Sequence, residues 1–184
     1  MITRRDWTPA DREAAMRIGL VFAKRPWPGF AAAVQEYRQI EAELIARAGH
    51  DEFGVLETKR RIAEWIVRCA DRDAVPFEQF QEAWNELLTL GFTDDEKKRE
   101  MVTYHSCYCL DNEHYDAGIA VLEPMIAEFE AWLQRAELEP NQRKFREDEL
   151  AHMKFRHEGL IALRAGGADA EAWLARDEAR QRSQ

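Results

Sequence analysis

The amino-acid sequence predicts an all-α fold of about eight helices that pair as four antiparallel hairpins. Three observations lead to this prediction. Ala, Leu, Glu and Arg, which enter helices at little free-energy cost, recur along the whole chain. Only nine Gly and six Pro interrupt it. Apolar residues recur at three- and four-residue steps, and no segment shows the strict alternation typical of a strand.

Breaks in the apolar pattern set the helix boundaries in the first half of the chain. Thr8 is the predicted N-cap of the first helix, and Pro9 occupies its first helical position. Pro26-Trp27-Pro28 ends that helix. Gly49 and Val75-Pro76 end the next two helices, and Leu90-Gly91 ends the fourth. The first four helices are therefore predicted over about 9–24, about 29–48, a segment reaching about 72, and about 77–90.

The second half starts with a capping-box pattern at Thr93-Asp94-Asp95-Glu96, with Thr93 as the predicted N-cap. This predicts a helix over about 94–110, a tight turn at Asp111-Asn112 and a sixth helix from about His114. Pro124 lies inside the sixth helix and is predicted to kink or break it, because proline has no backbone N–H.

A seventh helix is predicted over about 141–165, and Asp169 is predicted to cap the last one after Gly166-Gly167. The length suits a single helical domain spanning residues 1–184. Within it we expect an N-terminal hairpin, repeat-like hairpins, and a capping helix with a polar tail, over 1–50, 51–165 and 166–184.

The net charge of −9 is unevenly distributed. Residues 1–50 hold eight Lys/Arg and six Asp/Glu, so the remainder holds 18 and 29. An acidic surface repels phosphate backbones and favours basic protein partners, so we expect no nucleic-acid binding. No apolar run approaches the ~20 residues that cross a bilayer, and no secretion signal is visible. Three cysteines, Cys69, Cys107 and Cys109, suit a reducing cytoplasm.

The segment Met101–Leu122 resembles a tetratricopeptide repeat. Ser106 and Gly118 stand at the two small sites where paired helices cross, and Tyr115-Asp116 opens the second helix. Partial matches run from Gly159 through Trp173, and from Trp65 through Phe80 and Trp84. The chain departs from the family because 53 residues separate Ser106 from Gly159, where a regular array repeats every ~34. The resemblance implies a right-handed superhelical array, and an irregular helical bundle is the alternative.

In tetratricopeptide proteins the first helix of each hairpin lines a concave groove that binds polypeptides. By residue-level matching, the resemblance implies eight partner-binding residues in this chain. They are Arg68, Arg72, Thr103, Tyr104, Cys107, Asp111, Arg156 and His157. The Lys/Asn clamp that binds C-terminal carboxylates in some members is absent at the matching sites.

Other chemistry has weaker support in the sequence. On a helix Cys107 and Cys109 point about 200° apart and do not share a metal ion. Glu149 and His152 share a helical face, as in di-iron bundles, but the further carboxylates that such sites need are missing. No Gly-rich phosphate loop or nucleophile–base pattern occurs. No cofactor is expected, and a metal-dependent enzyme built on Glu149 and His152 stands as the alternative function.

These observations predict a cytoplasmic protein-binding scaffold that captures a polypeptide, with an immunity or antitoxin protein and a dedicated chaperone as the two roles that fit. An immunity protein would bind one folded partner very tightly, whereas a chaperone would bind an extended segment and release it. Tryptophans on different helices are expected to fill the space between hairpins. Self-association as a homodimer through aromatic faces remains open.

Overall fold

The structure is a computed structural model that describes four separate positions near the N terminus and three continuous stretches. These are Glu13, Met16, Arg17, Leu20, 30–48, 52–70 and 75–182. The four separate positions are helical, and the rest of the helix predicted over 9–24 lies outside the described residues. The described stretches contain helices and connecting turns without a strand, so the all-α prediction is confirmed.

Seven helices occupy the three continuous stretches. In chain order they are α1 (Phe30–Ala48), α2 (Glu52–Cys69), α3 (Phe77–Leu90), α4 (Asp95–Asp111), α5 (Tyr115–Arg135), α6 (Pro140–Ala165) and α7 (Gly167–Gln181). The bounds predicted for α1, α3, α4 and α6 agree with these to within one residue. Gly91 has φ 77° and its N–H donates to the Leu87 carbonyl, as predicted for a glycine that ends α3.

Two predicted caps are shifted. The N-cap of α4 is Asp94 and not Thr93: the Lys97 N–H donates to Asp94 Oδ1 at 2.8 Å, and the Lys98 N–H donates to the Asp94 carbonyl at 3.0 Å. Because α4 begins at Asp95, the preceding side chain is the one within reach of the first turn. Asp169 is not a cap either, since α7 begins at Gly167 and Asp169 lies in its first turn.

Pro124 was predicted to kink or break its helix, and the break does not occur, because α5 runs without interruption from Tyr115 to Arg135. Proline removes the hydrogen bond that residue 124 would donate to the carbonyl of Ala120. Both residues are exposed, so water can satisfy that carbonyl. The helix tolerates the missing bond at the surface while its opposite face stays packed.

By internal packing the chain divides into two compact units, Met1–Met101 and Val102–Gln184, and the boundary falls inside α4. In the first unit α2 packs against both α1 and α3. Its core combines side chains of these helices, including Ile40, Leu44, Ile62, Ile66, Phe80, Trp84 and Leu87. Leu88 is 56% exposed, because it points about 100° away from the buried Leu87.

In the second unit α6 packs against both α5 and α7. Along α6, Arg164, His157 and Lys154 meet successive α5 partners, which are Asp116, Glu123 and Glu130. The α6 positions fall as the α5 positions rise, so these helices run in opposite directions. The core beneath them contains Ile119, Leu122, Met125, Phe129, Leu133, Met153 and Leu160.

Two glycines set the close approaches in this unit. A Cβ on Gly118 would lie 2.8 Å from Leu160 Cδ1, and a Cβ on Gly159 would lie 2.4 Å from the Trp173 ring. Trp173 is buried and its ring N–H donates to the Phe155 carbonyl at 3.2 Å. Large side chains of the neighbouring helix therefore occupy the space that a side chain at each glycine would need.

Candidate functional site

The predicted partner-binding residues that the structure describes fall on three helices. Arg68 lies on α2 in the first unit, and Arg72 lies outside the described residues. Those of α4 and α6 belong to the second unit; they are Thr103, Tyr104, Cys107, Asp111, Arg156 and His157.

Arg68 is engaged inside the first unit. Its guanidinium forms an ion pair with Glu100 and lies 5.5 Å from the ring centroid of Trp65. Glu100 also accepts a hydrogen bond from Lys97 at 2.5 Å. Burial alone would raise the pKa of Glu100, but the hydrogen bond from Lys97 and the charge of Arg68 outweigh it and lower the pKa. This ion-paired cluster holds α2 against the first half of α4.

Arg156 links α6 to α4 in the second unit. Its Nη1 donates to the hydroxyl of Ser106 at 3.2 Å, and that hydroxyl donates to the Thr103 carbonyl at 2.9 Å. Ser106 is fully buried, with 0% of its surface exposed. Two predicted site residues, Thr103 and Arg156, are thus joined through a serine that the sequence placed at a helix crossing.

The remaining predicted residues of α4 follow one side of the helix. Tyr104, Cys107 and Asp111 are spaced by three and four residues, so they share a helical face. Tyr104 and Cys107 are half-buried and Asp111 is exposed. This face is therefore partly covered at Tyr104 and Cys107 and reaches the solvent at Asp111, the last residue of α4.

His157 lies on a different side of α6 from Arg156. Its Nε2 is 3.5 Å from Glu123 Oε1 of α5. It shares the α5-facing stripe with Met153 and Leu160, because these residues are spaced by three and four positions. The resemblance assigned Arg156 and His157 to the same groove. Because consecutive helical residues point about 100° apart, the two side chains lie on different surfaces of α6.

A cluster of basic side chains that the sequence did not predict includes Arg156. We define it as His152 and Arg156 of α6 together with Arg180 of α7. Burial lowers the pKa of His152, and the nearby charges of Arg180 and Arg156 lower it further, while Asp148 acts in the opposite direction. The Arg180 guanidinium lies 4.7 Å from the ring centroid of Phe155. The spacing of His152 and Arg156 was visible in the sequence, but the position of Arg180 depends on how α7 packs.

An open cleft of about 430 Å³ lies where α5 connects to α6. Its lining is Trp132, Leu138, Asn141, Gln142, Phe145 and Arg146. Phe145 is 63% exposed, and the guanidinium of Arg146 lies 5.3 Å from its ring centroid. An exposed phenylalanine beside a half-buried tryptophan offers an apolar surface for a partner side chain.

The residues considered for metal chemistry have other roles. Glu149 Oε2 accepts a hydrogen bond from Arg146 at 2.8 Å. Over the described ranges, no group of three His, Cys, Asp or Glu side chains is arranged to hold a metal ion. Arg146 stands one helical turn before Glu149, and its guanidinium competes with any metal ion for the Glu149 carboxylate.

Buried polar residues on α4 form a neutral pair. Cys109 Sγ lies 3.5 Å from His105 Nδ1. Burial lowers the pKa of His105 to about 4 and raises the pKa of Cys109 to about 12. Cys69 and Cys109 are buried, as expected for core thiols, while Cys107 is half-buried; all three are free thiols.

The chain matches no family model, no curated protein sequence and no solved structure. No helix in the part of the chain that the structure describes is long and apolar enough to cross a membrane.

Proposed function

We propose that this protein is a cytoplasmic protein-binding scaffold that captures a polypeptide partner in a surface formed by tetratricopeptide-like helical hairpins. The proposed partner is a protein or peptide that is basic overall, since an acidic chain attracts a basic partner over long range. Capture would be stoichiometric, with arginines and aromatic residues as anchors.

The observation that carries the proposal is the glycine-mediated packing of α5, α6 and α7. Gly118 and Gly159 each allow a large side chain of the next helix to approach the backbone closely. Small-against-large packing of consecutive antiparallel helices is what successive helical hairpins need in order to stack. A superhelical array built this way leaves the helix faces that do not stack available to a partner.

Aromatic and cationic side chains of the second unit support the same proposal. The cleft beside Phe145 offers apolar surface, and Tyr104 and Arg156 add an aromatic and a cationic side chain within the second unit. Tyrosine, tryptophan and arginine are the residue types that most often dominate binding energy at protein interfaces. Arg68 in the first unit and Asp111 in the second were both predicted as partner-binding residues. Each extends the proposed surface of its own unit.

Two biological roles fit this proposal, and they differ in the state of the partner. An immunity or antitoxin protein would bind one folded basic toxin and mask it. A dedicated chaperone would bind an extended segment of a protein and release it later. Limited proteolysis of the complex separates them, because a folded partner resists cleavage and an extended one does not.

Affinity capture from the native host's lysate at low and high salt, followed by mass spectrometry, tests the proposal. We expect one dominant partner that remains bound at high salt and binds again when purified. A matched variant, Phe145→Ala, should weaken the purified complex, whereas Leu88→Ala, an exposed apolar residue of the first unit outside the cleft, should not. The absence of any partner that binds saturably would contradict the proposal.

A further inference from the structure

One side of α6 is covered by α7 only along its C-terminal half. On that side Gly159 lies against the Trp173 ring, and the Arg180 guanidinium lies 4.7 Å from the ring centroid of Phe155. The α7 positions rise as the α6 positions fall, so the two helices are antiparallel. Helix α7 ends at Gln181, about 12 Å beyond Trp173, whereas α6 extends about 29 Å from Gly159 back to its first residue. The N-terminal half of α6 is therefore not covered by α7.

The side of α6 that meets α7 continues along this uncovered half as an exposed stripe. Seven helical residues make nearly two turns, so a residue 14 positions earlier stands on nearly the same side of the helix. Phe155 and Gly159, which contact α7, are thus preceded by Asn141 and Phe145. We define the open stripe as the exposed residues of this side, which are Asn141, Lys144, Phe145, Asp148 and Ala151.

The open stripe carries one cation and one anion in positions that complement a second copy of the chain. Lys144 and Asp148 are exposed, and neither forms an ion pair with another side chain of the described stretches. In an antiparallel pair of identical helices, each position before the two-fold axis faces the position equally far beyond it. With the axis at position 146, Lys144 of each copy faces Asp148 of the other. The two copies would therefore form two equivalent ion pairs.

The same register brings the two Phe145 side chains together, because each stands one residue from the axis. Phe145 is 63% exposed and lines the cleft of about 430 Å³ with Trp132 and Leu138. Asn141 then faces the small side chain of Ala151, which allows the two helices to approach closely. Contact between the phenyl rings removes apolar surface from water, while the charged pairs specify the register.

We propose that the open stripe is a dimerisation surface at which two copies of this chain pack antiparallel. Charge complementarity selects a second copy as the occupant, since a partner segment of a single sign would leave Lys144 or Asp148 facing a like charge. The stripe is about 15 Å long, which is short for a face that contributes to the ~1,600 Å² buried in standard complexes. The dimer is therefore reversible and concentration-dependent.

The dimer shares Phe145 with the cleft proposed for a polypeptide partner. Self-association and capture therefore compete, and the second copy covers this exposed ring until a partner displaces it. Self-association is measured on the purified chain alone, so it is tested independently of capture.

Sedimentation velocity of the full-length chain over a range of concentrations tests the proposal. We expect a reversible monomer–dimer equilibrium for the wild type. Lys144→Glu and Asp148→Lys should each weaken self-association by about tenfold, because each substitution places two like-charge pairs across the axis. Phe145→Ala should weaken it as well, whereas Leu88→Ala, which removes an exposed apolar side chain of the first unit, should not.

Mixing the two charge variants in equal amounts separates loss of docking from loss of folding. In a mixed dimer the introduced glutamate of one copy faces the introduced lysine of the other, and the native Lys144 faces the native Asp148. We therefore expect the mixture to dimerise with nearly the wild-type affinity, although each variant alone dimerises poorly. A folding defect, or a change confined to one helix, would not be rescued in this way.

A chain that stays monomeric up to about 1 mM would overturn the proposal. A dimer that is indifferent to both charge variants, or a mixture that dimerises no better than either variant alone, would overturn it too. A monomeric chain that still binds a captured protein would contradict the dimer and leave the scaffold proposal standing. A dimer for which no captured partner is found would do the reverse.

Discussion

At the scale of single residues, the chain depends on positions where the size or charge of a side chain is tightly constrained. Gly159 is one of these, because the Trp173 ring occupies the space beside its Cα. His105 is another, because it is fully buried on α4. A substitution at either position is expected to change the stability of the protein.

Gly159→Ala should destabilise the protein by about 1–3 kcal/mol, because the new Cβ would force the buried Trp173 ring to move. Chemical denaturation followed by far-UV circular dichroism measures the change. Ala151→Val at an exposed position of the same helix is the matched control and should cost less than about 0.7 kcal/mol. Equal effects of the two substitutions would contradict the close approach of α6 and α7.

His105 should make the protein less stable as the pH falls. Burial lowers the pKa of His105 to about 4 in the folded state, below the value of an unfolded chain near 6.5, so the unfolded state binds more protons between these values. The stability linked to neutral His105 is fully present above about pH 6.5 and is lost as the pH falls towards 4. The full loss in the free energy of unfolding is about 3 kcal/mol. Urea unfolding at pH 7 and pH 4.5 measures the loss.

His105→Gln should reduce this pH dependence, since glutamine does not titrate. Comparing the change between the two pH values in wild type and variant cancels the contribution of the carboxylates that both proteins share. If wild type and variant lost the same free energy on acidification, the neutral buried state of His105 would be wrong.

At the scale of helices, local chemistry determines where each element starts and whether it continues. Gly91 ends α3 at the predicted residue, and α4 starts within one residue of its predicted position. The errors were in detail: Asp94 caps α4, and Pro124 is accommodated within α5. A sequence pattern such as Thr93-Asp94-Asp95-Glu96 offers several capping side chains, and only backbone geometry selects among them.

Asp94→Ala should destabilise the protein by about 1 kcal/mol, because Asp94 accepts a hydrogen bond from the Lys97 N–H in the first turn of α4. Thr93→Ala is the matched control and should change the stability by less than about 0.5 kcal/mol. Thermal unfolding by calorimetry compares the two. A larger effect at Thr93 would restore the cap predicted from the sequence.

Pro124→Ala should stabilise the protein by about 1–3 kcal/mol, because alanine supplies the N–H that the Ala120 carbonyl lacks. Pro140→Ala serves as control, since Pro140 occupies the first turn of α6, where a missing N–H costs no helical hydrogen bond. The control should show no comparable gain. A destabilised Pro124→Ala variant would show that the proline contributes favourably to α5.

At the scale of the whole molecule, the sequence predicted the fold class and most helix bounds because both depend on local periodicity and on breakers such as Gly91 and Gly166. Contacts between distant residues were not predictable in this way. The proximity of Arg180 to His152, and that of Arg156 to Ser106, depends on how helices pack. The resemblance proposed Arg156 as a binding residue, but the structure was needed to reveal its cationic neighbours.

The proposed surface likewise combines predicted and unpredicted parts. Tyr104, Cys107 and Asp111 share the face expected from their spacing along α4. The cleft beside Phe145 was not expected, because its lining comes from both sides of the turn that joins α5 to α6. Periodicity identifies the faces of one helix but not the gaps between two.

Titration calorimetry between the purified chain and the dominant protein recovered from host lysate tests the scaffold proposal most directly. We predict saturable binding at one partner per chain, persisting at high salt and weakened by Phe145→Ala but not by Leu88→Ala. Heats that do not saturate, or binding that disappears at high salt and is indifferent to both variants, would contradict a scaffold that captures a specific polypeptide.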